Sequence, residues 1–327
     1  RKVMRKTQLH GHWLCLLAAV FAQTIASEAP AQSYPSKPVR IVVGFSPGGG
    51  TDVTARLVAQ KLSVELGQSV VVENRTGAAG MIAGDFVARQ PADGYTLLMV
   101  ASTTLINSVL RGKSLEPDFA PVSLVTTAPL VLVVHPSVPA RNVKQLIALA
   151  RSRPGALVFG SDGVGGTTHL AFELFSEMAK VKLVHVPYKG AGDSVVAVVS
   201  GQVDMNMASA PATLPLLRAG KYRALAVSSE KRYSLLPSIP SISEAALPGF
   251  GLISFFGLLA PKAVPKDIIA RVNAAVIKVV NTPELIEAIN KQGMEAQTNS
   301  PEQFTEFMRT MSAQIARLGK SSGIELK

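Results

Sequence analysis

Short apolar runs alternate along this chain with segments whose apolar residues return every three or four positions. Residues 39–45 form one such run, and residues 52–66 have the helical spacing. Further runs at 70–73, 96–100, 130–134, 156–159, 183–186, 203–207, 224–227 and 252–259 repeat the theme, and 122–125 gives one more short strand. Helical segments at 81–89, 142–152, 168–179, 192–199 and 211–219 lie between them. Unbroken apolar runs mark strands covered on both faces, and the intervening period is that of the helices covering them. The pattern predicts an α/β fold of two lobes with mixed, mostly parallel sheets.

Residues 228–251 break the rhythm, where Pro237, Pro240, Pro248 and Gly249 punctuate a polar loop. After Pro261 and Pro265 the pattern is helical at 267–280, 283–291 and 301–318, each segment opening on Pro or an acid. The first α/β unit ends near 134 and the chain returns to it near 257. Lobe I is therefore expected at 34–134 plus 257–327, and lobe II at 135–256. Two crossings predict a double hinge.

Two glycine turns carry the candidate chemistry. Phe45-Ser46-Pro47-Gly48-Gly49-Gly50-Thr51-Asp52 joins the first apolar run to the first helix, and Gly160-Ser161-Asp162-Gly163-Val164-Gly165-Gly166-Thr167 repeats that context. A strand, a bare turn and a helix start together make an anion site, because the first helical amides have no intrahelical acceptor. Phe45, Gly48, Gly49, Ser161, Gly163, Gly165, Gly166 and Thr167 are the expected contacts. Asp52 belongs to the first turn, either facing ligand or orienting a loop amide, since the helix dipole favours an acid there in any case. Thr103, Thr104 and Ser209 follow strands at their carboxyl ends, where such sheets present ligands; helix capping is the alternative for the threonines. Tyr188 lines the cleft or packs in the core.

Composition narrows the classes. Residues 1–31 read as an export leader: Arg1, Lys2, Arg5 and Lys6, an apolar core at 13–22, and the cleavage pattern Ala29-Pro30-Ala31. That core is shorter than the roughly 20 residues of a membrane span. The single cysteine, Cys15, lies in the leader, which excludes thiolate chemistry and disulfides downstream and suits an oxidising compartment. The formal charge of +11 falls to about +8 without the leader, and the basic residues are scattered, which argues for small anions over nucleic acid. His135, His169 and His185 lack metal-ligand spacing, and no metal is expected. Neither a phosphate-loop Lys-Ser/Thr nor a Gly-x-Ser-x-Gly nucleophile elbow is present.

An ordered set of motifs resembles the receptors of tripartite tricarboxylate transporters, the Bug family. The set runs from Pro35-Ser36-Lys37-Pro38 through Phe45-x-x-Gly48-Gly49-x-x-Asp52, Ala55-Arg56, Glu73-Asn74-Arg75-x-Gly77-Ala78-x-Gly80 and Pro91-Ala92-Asp93-Gly94-Tyr95-Thr96-Leu97. It continues with Gly160-Ser161-x-Gly163-x-Gly165, His169-Leu170, Val186-Pro187-Tyr188-Lys189-Gly190, Gly201-Gln202-Val203-Asp204 and Gly257-Leu258 with Ala260-Pro261. The resemblance implies a type II periplasmic binding-protein fold with no catalysis and no cofactor. It implies a monomeric receptor in the periplasm, cleaved near Ala31, that hands its ligand to inner-membrane permease subunits. The ligand is implied to be a small carboxylate (a di- or tricarboxylate, an acidic amino acid or an aromatic acid) held by loop amides and waters. Two departures stand out: Gly166 replaces the usual Ser or Thr, and Gly192-Asp193 replaces a small residue and proline. Asp193 at the cleft mouth would favour a ligand carrying a donor. The rival readings are a receptor that signals to a membrane sensor, and a hydrolase or isomerase using Asp52 as base.

Overall fold

Each apolar run becomes a strand of one mixed sheet in the computed structural model, which describes residues 34–188 and 191–324. The expected leader lies outside the described residues. β1 (Val39–Val43) pairs in parallel with β2 (Val70–Asn74) and β3 (Thr96–Ala101). At the other flank β5 (Val158–Ser161) pairs in parallel with β6 (Val184–Pro187) and β7 (Met205–Ser209). Two long strands, β4 (Phe119–Val134) and β9 (Ile253–Pro261), run antiparallel through the middle. The resulting order is β2-β1-β3-β9-β4-β7-β5-β6, with β8 (Arg223–Val227) and β10 (Glu295–Ala296) also on β4.

β4 corrects an expectation. Residues 122–125 and 130–134 are not two strands but parts of one of 16 residues. Thr126 and Thr127, polar residues between the two runs, are buried and continue the ladder to Phe256 and Phe255. Register shifts near Pro121 and beyond Leu124 absorb the irregularity. β4 changes partner at one point: residues up to Pro129 pair with β9, and Leu130–Val134 pair with β7.

Helices cover both faces. α1 (Gly50–Leu66) and α2 (Met81–Ala88) follow β1 and β2, α3 (Ser102–Leu110) follows β3, and α4 (Val143–Ser152) follows β4. α4 shows how the pattern folds: Asn142 accepts the Gln145 amide as its cap, and Val143, Leu146, Ile147 and Ala150 are the buried stripe. α5 (Thr167–Ala179), α6 (Ala191–Val199) and α7 (Ala210–Arg218) complete the second flank. The polar loop holds an unexpected short helix, α8 (Ile242–Ala245), capped by Ser241. α9 (Lys266–Val280), α10 (Pro283–Lys291) and α11 (Pro301–Ser322) close the chain, the last opened by a capping box between Ser300 and Gln303. No described helix is long and apolar enough to cross a membrane.

A candidate ligand cleft between two matching loops

The two glycine turns share the same closing hydrogen bond, left-handed glycine and helix cap. In the first, the Gly49 amide donates to the Ser46 carbonyl at 3.2 Å, Gly48 has φ 82°, and Gly49 caps α1 with φ −72° and ψ 162°. In the second, the Gly166 amide donates to the Gly163 carbonyl at 3.1 Å, Gly165 has φ 72°, and Gly166 caps α5 with φ −74° and ψ 166°. Gly48 and Gly165 need glycine for that left-handed backbone. Neither helix start is capped by a side chain, so its first amides are left for an anion or water.

Four residues past each left-handed glycine sits a buried acceptor for that glycine's amide. Asp52 does this in the first loop. It is 2 % exposed; Oδ2 accepts from Gly48 N at 2.9 Å and from Arg56 Nε at 3.0 Å, and Oδ1 accepts from Asn74 Nδ2 at 2.8 Å. Asn74 Nδ2 also donates to the Phe45 carbonyl at 3.0 Å, and Arg56 Nη2 donates to Asn74 Oδ1 at 3.0 Å. Burial pushes the Asp52 carboxyl up, but the bonds from Arg56, Gly48 and Asn74 outweigh it and hold it below the usual carboxylate range. The geometry makes Asp52 a fastener of the loop.

His169 is its counterpart. Nδ1 accepts the Gly165 amide at 3.0 Å, and Nε2 faces Glu173 Oε1 at 3.5 Å, one helical turn on. The His169 ring stacks on His185 at 3.8 Å, and His185 stacks on Phe159 at 4.9 Å. His185 Nε2 shares a 2.6 Å hydrogen bond with Ser161 Oγ, which also accepts the Gly163 amide at 3.1 Å. Burial, with the neighbouring His169 ring adding to it and Glu173 opposing, pushes His185 down to about 4. Hydrogen bonding to His169 keeps Glu173 low against its own burial.

Several of the remaining candidates pack against these two loops. The Phe45 ring and Thr104 Oγ1 both press on Gly80, where a Cβ would lie 3.3 Å and 2.5 Å from them. Thr104 is buried and donates to the Ala79 carbonyl at 3.0 Å; Thr103, beside it, is half-buried. Ser161 is buried at the end of β5 and Thr167 opens α5. The Tyr188 amide donates to the Ser161 carbonyl at 3.1 Å, and its ring covers Gly160. Asp193 is exposed in the first turn of α6, and Ser209 is exposed at the end of β7.

Strand register brings the two groups to one place. Ala101, which ends β3, lies opposite Phe256, and Phe256 lies opposite Thr126 of β4. Ser209, which ends β7, lies opposite Leu130 of the same strand. The two sets of strand carboxyl ends therefore point at each other across four residues of β4, about 13 Å of extended chain. A concavity of about 150 Å³ around Leu105, Phe119 and Met308, and one of about 490 Å³ that includes Thr127 and Pro129 of this stretch, contain none of these candidates. No cluster of metal-ligating groups occurs among the described residues.

Residues 54–324 match the tripartite tricarboxylate transporter family receptor. The chain belongs to this receptor family. It is 35% identical to Protein BugT of Bordetella pertussis over 96% of this chain and 98% of that one. Among solved structures, R. palustris Rpa4515 with adipate is 36% identical with a TM-score of 0.73, covering 89% of this chain and 99% of that one. MatC from Rhodopseudomonas palustris, with bound malate, is 28% identical with a TM-score of 0.68, covering 87% and 99%. Receptors of this family are periplasmic solute-binding proteins, and the fold described above is theirs.

Three parts of the site escaped the sequence. Phe256 of β9 lies 3.5 Å from where a Cβ at Gly50 would be, so its ring flanks the start of α1. The turn Gly77-Ala78-Ala79-Gly80 has four successive positive φ values, 128°, 47°, 54° and 90°. Two alanines in the left-handed region cost about 1–2 kcal/mol each, and the turn buttresses Phe45 and Thr104. His169 and His185 read as dispersed, but the pairing of Phe159 with His185 in β5 and β6 brings them behind one loop.

Proposed function

We propose that this receptor captures a small carboxylic acid between the two glycine loops and delivers it to inner-membrane permease subunits. The observation that carries the reading is the pair of uncapped helix starts, α1 and α5, presented toward one stretch of β4. Backbone amides at a helix start bind an anion without a buried side-chain charge. The two lobes are 34–134 plus 257–327 and 135–256, with the hinge where β4 leaves β9 for β7. Phe45, Gly48, Gly49, Ser161, Gly163, Gly165, Gly166 and Thr167 form the contact surface. Thr103, Tyr188, Asp193 and Ser209 edge it, while Asp52 and Thr104 act through the loops they hold. Residues 1–31 serve as the export leader, and the mature protein works in the periplasm.

Binding takes place without turnover. The rival role for Asp52 as a base conflicts with its geometry, because its oxygens already accept from three groups and its proton affinity is lowered. Native mass spectrometry of the purified protein, followed by a thermal-shift screen of carboxylic acids, tests the reading. One acid bound per chain, recovered chemically unchanged and raising the melting temperature, is the expected result. Gly165→Leu, which crowds the second loop, should abolish that shift while the protein stays folded. An unliganded protein unmoved by the whole panel would overturn the assignment.

A further inference from the structure

Asp162 breaks the symmetry of the two loops. In the matched loops it stands where Phe45 stands in the first, so an acid replaces an aromatic ring. Its amide donates to Thr168 Oγ1 at 2.8 Å, and that hydroxyl donates back to Asp162 Oδ1 at 2.5 Å. This closed pair fixes the carboxylate over Gly166, the N-cap of α5. A Cβ at position 166 would lie 2.6 Å from Asp162 Cγ and 3.1 Å from Oδ2. Glycine at 166 is the condition that lets the carboxylate sit there.

The acids of the two loops differ in their compensation. Asp52 is bonded by Arg56, Asn74 and the Gly48 amide. Asp162 forms no ion pair among the described residues, and Oδ2 accepts no hydrogen bond from them. The first loop therefore offers open amides with its acid neutralised, whereas the second offers a helix start beside a carboxylate oxygen that has no hydrogen-bond donor among the described residues. A ligand carboxylate brought to that second loop meets a like charge, and an ammonium, amide or hydroxyl meets an acceptor.

We propose that Asp162 sets the charge selectivity of the cleft. The preferred ligand is a small acid whose carboxylate is taken by the first loop and whose far end carries a hydrogen-bond donor, in contrast to a dicarboxylate. This rests on the carboxylate-receptor reading above and adds the second pole to it.

The test is calorimetric titration of the full purified chain with three series of four to six carbons: dicarboxylates, ω-amino acids, and the monoamides of the same diacids. Wild type should bind an amine- or amide-ended acid at least about tenfold tighter than the diacid of equal length. In Asp162→Asn, which keeps the shape, that ratio should fall by about tenfold or more, the scale of one removed like-charge contact. Should that variant melt abnormally, the double variant D162A/G166S restores a hydroxyl over the helix start and should show the same fall in the ratio. A wild type that prefers the diacid at every length, or a ranking unchanged in both variants, would overturn the role of Asp162 while leaving the receptor reading intact. No binding by any acid to wild type or variants would overturn both.

Discussion

Replacing Asp52 by Asn removes a charge while keeping the side chain's size. The carboxylate makes four acceptor contacts: Oδ2 with Gly48 N and Arg56 Nε, Oδ1 with Asn74 Nδ2 and, at 3.1 Å, with Arg56 Nε again. An amide has one oxygen, so half of those contacts become N–H facing N–H, whichever way it turns. Asn74 cannot rotate to rescue the pair, because its amide nitrogen also serves the Phe45 carbonyl and its oxygen accepts from Arg56. A hydrogen bond to a charged partner is worth about 1.5–3 kcal/mol, and stranding a buried donor costs a similar amount. With some relaxation of the exposed Arg56, Asp52→Asn should destabilise the protein by about 2–4 kcal/mol. Urea unfolding monitored by circular dichroism measures it.

The same variant separates two roles for Asp52. If the acid acted only through its field, removing a negative charge below an anion site would tighten acid binding. As the fastener of the Gly48 amide it does the reverse, and affinity for whichever acid the thermal screen identifies should fall about tenfold, or about 1.4 kcal/mol. Calorimetry reads the sign directly. Stability within about 0.5 kcal/mol of wild type, together with unchanged or tighter binding, would refute the reasoning.

The histidine stack predicts acid sensitivity. Unfolded His185 takes a proton near its ordinary value of 6.5, but the folded group only near 4, so between those values the unfolded state holds more protons and stability falls as pH falls. The loss is about 1–2 kcal/mol after discounting for solvent at this half-buried ring, and His185→Asn should flatten the stability profile between pH 6.5 and 4. Glycine 257 sits where β9 meets β4, and a Cβ there would collide with the Phe304 ring, 2.8 Å from Cε1, and lie 3.1 Å from the Ser123 carbonyl. Gly257→Ala should therefore lower stability by about 2–3 kcal/mol in urea, without any change in which acids are preferred.

What the sequence disclosed followed from periodicity and glycine. The run at 96–100 is buried from end to end, and that at 39–44 is buried but for Arg40, so their pattern needed no tertiary knowledge to read. The two loops were legible because a strand, a left-handed glycine and an uncapped helix are all local events. β4 was not legible as one strand, because Thr126 and Thr127 are polar in isolation and are buried only through their partners in β9. The histidines failed for the same reason. They are 16 residues apart by number, and only the pairing of β5 with β6 stacks their rings. Ala78 and Ala79 gave no hint of a left-handed turn, since alanine ordinarily avoids that conformation.

The likeness of the two loops explains how amides can be kept open without being left loose. An N–H that dangles in a flexible turn gains little from an anion, because ordering the turn opposes binding. Here the amides of Gly48 and Gly165 are given to Asp52 and His169, and those of Gly49 and Gly166 to Ser46 and Gly163. Each turn is thus pinned by its own bonds, and the first helical amides beyond it stay ordered with no side chain over them. The fasteners are chemically opposite: a carboxylate anchored by Arg56 in one loop, an imidazole anchored by Glu173 in the other. Each acceptor is held by a partner one helical turn away, Asp52 by Arg56 and His169 by Glu173. At Asp52 a buried lone carboxylate would have dominated the field at the first helix start, and pairing with Arg56 removes most of it. Under the proposal above, selectivity is then left to Asp162, which has no ion-pair partner among the described residues.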